Sequence, residues 1–167
     1  MADTDEIRTA RLLLRRARVE DLADIHSVMS DPAVMRFWST LPHDDIEQTR
    51  VWLNAMIGAD AQNSDDYVIQ LGGRVIGKIG CFILPEIGFQ IASDLWGQGL
   101  ASEAMAAYLA RRRIIGDPSR IVADVDPRNG ASLALLKSHG FVETGRATGT
   151  WKVGDEVCDS IYLALDL

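Results

Sequence analysis

Cysteine and histidine are scarce in this chain. The two cysteines, Cys81 and Cys158, have no metal-ligand spacing, and the three histidines, His26, His43 and His139, fall in separate segments. A disulfide scaffold and a zinc centre are therefore both unexpected; the expected state is two buried free thiols and no metal. Nowhere does the sequence hold the roughly 20 consecutive apolar residues that a membrane-crossing helix needs, so no membrane partner is expected. The acidic start Met1-Ala2-Asp3-Thr4-Asp5-Glu6 is unlike a basic secretory leader, which points to a cytoplasmic protein. Positive charge is also in deficit, with 17 Lys and Arg against 24 Asp and Glu and a net charge of −7. That balance argues against binding nucleic acid through its backbone. No Gly-Lys-Ser or Gly-Lys-Thr loop is present, which removes the usual nucleotide cradle.

What is there is a globular composition, 47% hydrophobic and 25% charged over 167 residues. This suffices for one well-buried core, and a single domain over residues 1–167 is expected. Arg11 to Arg16 reads as a first strand. A helix opened by Glu20 or Asp21 follows, with Leu22, Ile25, Val28 and Met29 at helical spacing, and Asp31-Pro32 should end it. A second helix is expected after Leu41-Pro42, and Asp60 to Asp66 reads as a loop. From Tyr67 the period changes to that of strands: 67–71, a Gly72-Gly73 turn, 74–82, and 87–91. A helix over 102–113, a strand over 121–125, a helix from Gly130 to His139 and two last strands near 141–153 and 159–165 complete the pattern. It predicts an α/β (α+β mixed) fold with helices on both faces of a mixed sheet.

The most informative stretch is Leu95-Trp96-Gly97-Gln98-Gly99-Leu100-Ala101-Ser102-Glu103-Ala104, between a strand and a helix. Glycines flanking one polar residue, with small side chains after them, let backbone N–H groups close around phosphate oxygens at a helix start. A plain strand–turn–helix junction fits the same run. Arg111, Arg112, Arg113, Arg120, Arg128 and Lys137 follow it, and suit either an anionic ligand or a solvated helix end.

Three further motifs accompany that run in order: Thr9-Ala10-Arg11-Leu12-Leu13-Leu14-Arg15 with Asp31-Pro32, Asn129-Gly130-Ala131-Ser132, and Leu136-Lys137-Ser138-His139-Gly140-Phe141. Together they resemble the Gcn5-related N-acetyltransferase (GNAT) superfamily, in its ribosomal-protein alanine acetyltransferase-like branch, over nearly the whole chain. The resemblance implies a GNAT fold: a central, mostly antiparallel sheet of about seven strands flanked by about four helices. It also implies an acetyl-CoA cofactor and transfer of the acetyl group to a primary amine, on a protein N-terminus or a small molecule, by direct attack in a ternary complex. Amides of Gly97, Gln98, Gly99, Leu100, Ala101 and Ser102 would hold the coenzyme's pyrophosphate. By the same resemblance the strand 87–91 splays from its neighbour, freeing backbone near Gln90, Ile91 and Ser93, and Asn129 and Ser132 lie beside the coenzyme. Asn129 also suits a plain helix cap. A non-catalytic CoA-binding or regulatory module is the alternative, because the tyrosine that serves many relatives as general acid is replaced by Leu136.

Glu86 is the acid nearest the strand before the glycine run and the candidate base, although a surface carboxylate needs no such role. Ser132 is the candidate to stabilise the leaving thiolate. Phe37, Trp38, Trp52 and Tyr67 on one side, with Trp151 and Tyr162 on the other, are candidate walls for the acceptor, and each serves equally well as core. Asp44, Asp45 and Asp155 suit either a cationic amine or helix starts and turns. A monomer or homodimer is expected.

Overall fold

The computed structural model describes residues 5–167; Met1–Thr4, most of the acidic start, lie outside the described residues. Among the described residues, eight strands form one sheet: β1 (Glu6–Arg8), β2 (Leu12–Arg15), β3 (Asp65–Leu71), β4 (Arg74–Ile83), β5 (Glu86–Ile91), β6 (Arg120–Val125), β7 (Val142–Val153) and β8 (Glu156–Asp166). Their order is β1-β2-β3-β4-β5-β6-β8-β7, antiparallel at every junction except the parallel β5–β6 pair. Five α-helices among the described residues flank the sheet: α1 (Leu22–Met29), α2 (Pro32–Met35), α3 (Ile46–Ile57), α4 (Leu100–Ile115) and α5 (Gly130–Ser138). The architecture is the expected α/β sheet with one more strand and one more helix.

The extra elements have local causes. β1 is three residues with one apolar side chain, too short to show a period. Pro32 ends α1 as expected but then opens α2, where a proline's missing N–H costs nothing; Asp31 Oδ1 caps the new turn by accepting from Ala33 N–H at 2.9 Å. The expected loop over 60–66 gives way at its end to strand, because the charges of Asp65 and Asp66 are neutralised inside the fold. Asp65 meets Arg112 of α4 at 3.0 Å, and Asp66 meets Lys78 of β4 at 2.7 Å.

Strand alternation sorts the core onto two faces. Tyr67 and Ile69 of β3 pack with Ile79, Ile87, Met105, Tyr108 and Leu109 under α4. Val68, on the opposite face, packs with Ile25, Met29, Leu53 and Met56 of α1 and α3. Asp66, Lys78, Gly88 and Gln90 share that second face. None of the described helices is long and apolar enough to cross a membrane.

Candidate active site

The parallel junction opens into the site. Only Glu86 and Val122 are in register between β5 and β6, supported by Val122 N–H donating to Pro85 O at 3.0 Å. Beyond that point the strands part. On the other side of β5, Ala92 N–H donates to Ile76 O at 2.7 Å, and the register runs through Lys78↔Gln90 and Gly80↔Gly88. Hydrogen-bonded pairs alternate along an antiparallel ladder, so the backbone groups of Phe89 and Ile91 face the opening. This refines the expected positions. The Gln90 backbone is turned toward β4, and its buried side chain donates from Nε2 to Met29 Sδ at 2.8 Å. Ile91 O accepts the Trp96 indole N–H at 2.8 Å, and Ser93 Oγ donates to Asp31 Oδ2.

The glycine run then leads into α4. Gly97 and Gly99 adopt φ of 75° and 74°, the left-handed region that favours glycine, and Gly99 caps the helix without a side-chain hydrogen bond. Glu103 N–H, donating to Gly99 O at 3.0 Å, is the first amide of α4 with a helical acceptor. The N–H groups of Leu100, Ala101 and Ser102 precede it and have none, which leaves a positive, donor-rich helix end. The Thr9–Arg15 motif holds this loop from behind. Glu103 Oε1 accepts from Thr9 Oγ1 at 2.5 Å and from Arg11 N–H at 2.9 Å, while the Arg11 guanidinium bonds Glu103 Oε2 at 2.7 Å and Gln98 O at 2.9 Å. The Thr9 hydroxyl, followed by Arg11, keeps the Glu103 carboxyl below the usual carboxylate range.

Of the basic residues that follow, Arg112 is buried against Asp65, Arg120 pairs with Asp166 at 2.6 Å, and Arg128 pairs with Asp126 at 2.6 Å and Glu156 at 2.5 Å. Arg113 and Lys137 have no ion-pair partner among the described residues. His139, which the sequence left unassigned, shares a 2.9 Å hydrogen bond with Ser102 Oγ. Burial, aided by the charge of Arg113, lowers its pKa.

A cavity of about 940 Å³ lies between the parted strands and the α2–α3 segment, lined among others by Phe37, Trp38, Trp52, Glu86, Asn129, Ser132, Leu136 and Trp151. Asn129 Oδ1 accepts from Ser132 N–H at 3.2 Å and caps α5. Burial, with the neighbouring charge of Asp124 adding to it, raises the Glu86 carboxyl above the ordinary range. Asp124 Oδ2 in turn accepts the Trp151 indole N–H at 2.8 Å. At the mouth Glu156 joins Arg36 and Arg128, whose guanidinium carbons lie 4.9 and 5.6 Å from the Phe37 ring centre.

Several expected residues fall elsewhere. Tyr67 does not reach the cavity: strand alternation turns it to the α4 face, where it is fully buried with its ring 6.1 Å from that of Tyr108. Tyr162 is exposed and is not part of the cavity wall. Asp45 caps α3, accepting from Glu47 and Gln48 N–H groups, and Asp155 sits in the β7–β8 turn. Cys81 is buried as expected, whereas Cys158 is half-exposed in the cavity wall. His26 and His43 converge on Thr49 Oγ1, at 2.7 and 2.8 Å, and no metal-binding group forms among the described residues.

Residues 11–142 match the acetyltransferase (GNAT) domain, most of the chain. The chain belongs to the GNAT acetyltransferase family. A curated relative of this acetyltransferase, the uncharacterized N-acetyltransferase p20 of Bacillus licheniformis, is 29% identical over 150 residues, covering 84% of each chain. Among solved structures, the GNAT-family acetyltransferase from Bacillus anthracis superimposes with a TM-score of 0.83 at 26% identity, covering 96% of this chain and 98% of the other. The spermidine N-acetyltransferase from Vibrio cholerae, solved in complex with CoA and spermine, shares the fold with a TM-score of 0.80 at 21% identity, covering 95% and 96%.

Proposed function

We propose that this acetyltransferase moves the acetyl group of acetyl-CoA to a primary amine, on a protein N-terminus or a small molecule, by direct attack with both substrates bound. The observation that carries the reading is a pair of unpartnered backbone sets facing one opening: the amides at the start of α4 and, on the β5 edge, the Phe89 groups with the Ile91 N–H. Amides from Gln98 to Ser102 suit the pyrophosphate, an anion at a helix N-terminus. The freed β5 edge, with Asn129 and Ser132 opposite, suits the pantetheine arm and the acetyl carbonyl. Acetyl-CoA supplies the thioester that the amine attacks and the sulfur that leaves.

Glu86, its carboxyl held above the ordinary range by burial and by the charge of Asp124, takes the proton from the attacking amine directly or through water. The Ser132 hydroxyl lies in the same cavity and stabilises the departing sulfur by hydrogen bonding. Most of the rate enhancement then comes from holding the amine against the thioester. Within the family we place the chain in the ribosomal-protein alanine acetyltransferase-like branch, supported by the job each motif has here: Thr9 and Arg11 brace the coenzyme loop and Asp31 braces Ser93. We assign it a cytoplasmic site of action, as a monomer or homodimer.

Leu136, fully buried in the cavity wall where many relatives carry a tyrosine, favours a second reading, a CoA-binding module without turnover. Incubating the protein with acetyl-CoA and a panel of peptide and small amines, with detection of free thiol, separates the two. Amine-dependent thiol release is expected; tight coenzyme binding with no release across the panel would select the module.

A further inference from the structure

On the cavity face of β3 and β4 lies a buried ion pair that neither coenzyme binding nor the proton relay uses. Lys78 Nζ donates to Asp66 Oδ2 at 2.7 Å, with the two side chains only 4% and 3% exposed. Both residues line the cavity. The pair is incompletely satisfied. Among the described residues Asp66 Oδ1 is buried without a hydrogen-bond partner, and Lys78, with three N–H groups, has Asp66 as its one side-chain acceptor there. A buried pair in this condition bears a desolvation cost that further hydrogen bonds would offset.

We propose that Asp66 and Lys78 form an end-group subsite of the acceptor pocket, which takes a neutral group bearing one donor and one acceptor, a carboxamide or a hydroxyl. The chemistry selects that class. A carboxylate would gain Lys78 and be repelled by Asp66; a second ammonium would gain Asp66 and be repelled by Lys78; a methyl end leaves both unsatisfied. A carboxamide donates its N–H to the Asp66 carboxylate and accepts from Lys78. The surroundings fit an extended acceptor. Trp38 lies over Gly88, where a Cβ would come within 3.3 Å of its ring, and its ring centre is 5.9 Å from Lys78 Nζ, so an aromatic wall adjoins the pair. Asp66 pairs with Gly80 and Gly80 with Gly88, two residues beyond Glu86 on the same face. Strand spacing of about 4.8 Å and a rise of about 3.4 Å per residue then separate Asp66 from Glu86 by roughly 12 Å between Cα atoms. An amine at Glu86 thus reaches the pair through a body of six or seven carbons.

This inference rests on acetyl transfer in the same cavity. Four amines of equal length test it: 7-aminoheptanamide, heptylamine, 1,7-diaminoheptane and 7-aminoheptanoate. The carboxamide is expected to show a KM at least tenfold below the other three. In the double variant Asp66→Leu with Lys78→Met, an apolar replacement of the kind buried pairs often tolerate, that preference should collapse and pass to heptylamine, with calorimetric acetyl-CoA binding reporting that the fold persists. Equal KM values for the four amines in the parent protein, or preference for the methyl, cationic or anionic end, overturn the subsite. If no amine releases thiol although acetyl-CoA binds, the catalytic reading fails instead. The subsite is then judged by calorimetric affinity of the CoA-loaded protein for the same four probes, where lack of preference for the carboxamide overturns it.

Discussion

At Glu86 two effects act in the same direction. Burial disfavours the carboxylate, and Asp124, two residues past the register partner Val122, adds a repelling negative charge. A carboxylate base works only when ionised, so activity rises with pH as Glu86 loses its proton, and a raised pKa moves that rise upward from the ordinary carboxylate range. The acid limb of kcat/KM should therefore lie above the usual Glu value. Glu86→Gln should remove the limb and lower kcat/KM by about 10²-fold, the lower end of general-base contributions. Asp124→Asn should keep the limb but shift it to lower pH, since the neighbouring charge is gone. Steady-state kinetics from acid to neutral pH decide the matter, and a Glu86→Gln profile superimposable on the parent's removes Glu86 as the base.

The coenzyme's proposed anchor is the start of α4, and the geometry of that element depends on one residue. Gly99 has φ of 74°, and a Cβ there would meet only the Arg11 guanidinium, at 3.7 Å. Space is available but the backbone conformation is not: a side-chain-bearing residue in the left-handed region costs about 1–2 kcal/mol. Gly99→Val should relieve that strain by turning the Leu100 to Ser102 amides off their common aim. Acetyl-CoA affinity should then fall about tenfold or more, since about 1.4 kcal/mol is one decade, with far-UV circular dichroism unaltered; unchanged calorimetric affinity would detach this turn from the pyrophosphate. The glycines, small residues and following helix made this element legible from sequence. Glu86 and Leu136 also line the cavity. What lay hidden depends on partners distant in the chain. The parting of β5 from β6 is a relation between strands that no local period encodes, and Asp65-Asp66 reads as loop until Arg112 and Lys78 are brought to it. Tyr67 lies away from the acceptor wall that the sequence suggests for it, because an aromatic in a strand buried on both faces gives no sign of which face it takes.

Across the whole molecule the parted junction is also the thinnest seam, joining β1–β5 to β6–β8 through one register pair. The two sides are nevertheless tied beneath it: Leu14, Tyr67 and Ile79 from one side share a single apolar cluster with Ile121, Leu136, Phe141 and Leu163 from the other, and α4 packs in that cluster. Loss of either side would expose the cluster to water, at about 25 cal/mol per Å² of apolar surface. The seam should therefore not be a domain boundary, and residues 1–167 should unfold as one domain. The tryptophans offer a direct probe, since Trp38 and Trp52 pack on the α1–α3 side whereas Trp151 lies on β7. Melting followed by Trp fluorescence and by far-UV circular dichroism should give coincident transitions, with calorimetric and van't Hoff enthalpies equal and on the order of 100–120 kcal/mol for a chain of this length. Two resolved transitions, with the double variant Trp38→Phe, Trp52→Phe weakening the fluorescence change of one and Trp151→Phe that of the other, would make the seam a true boundary.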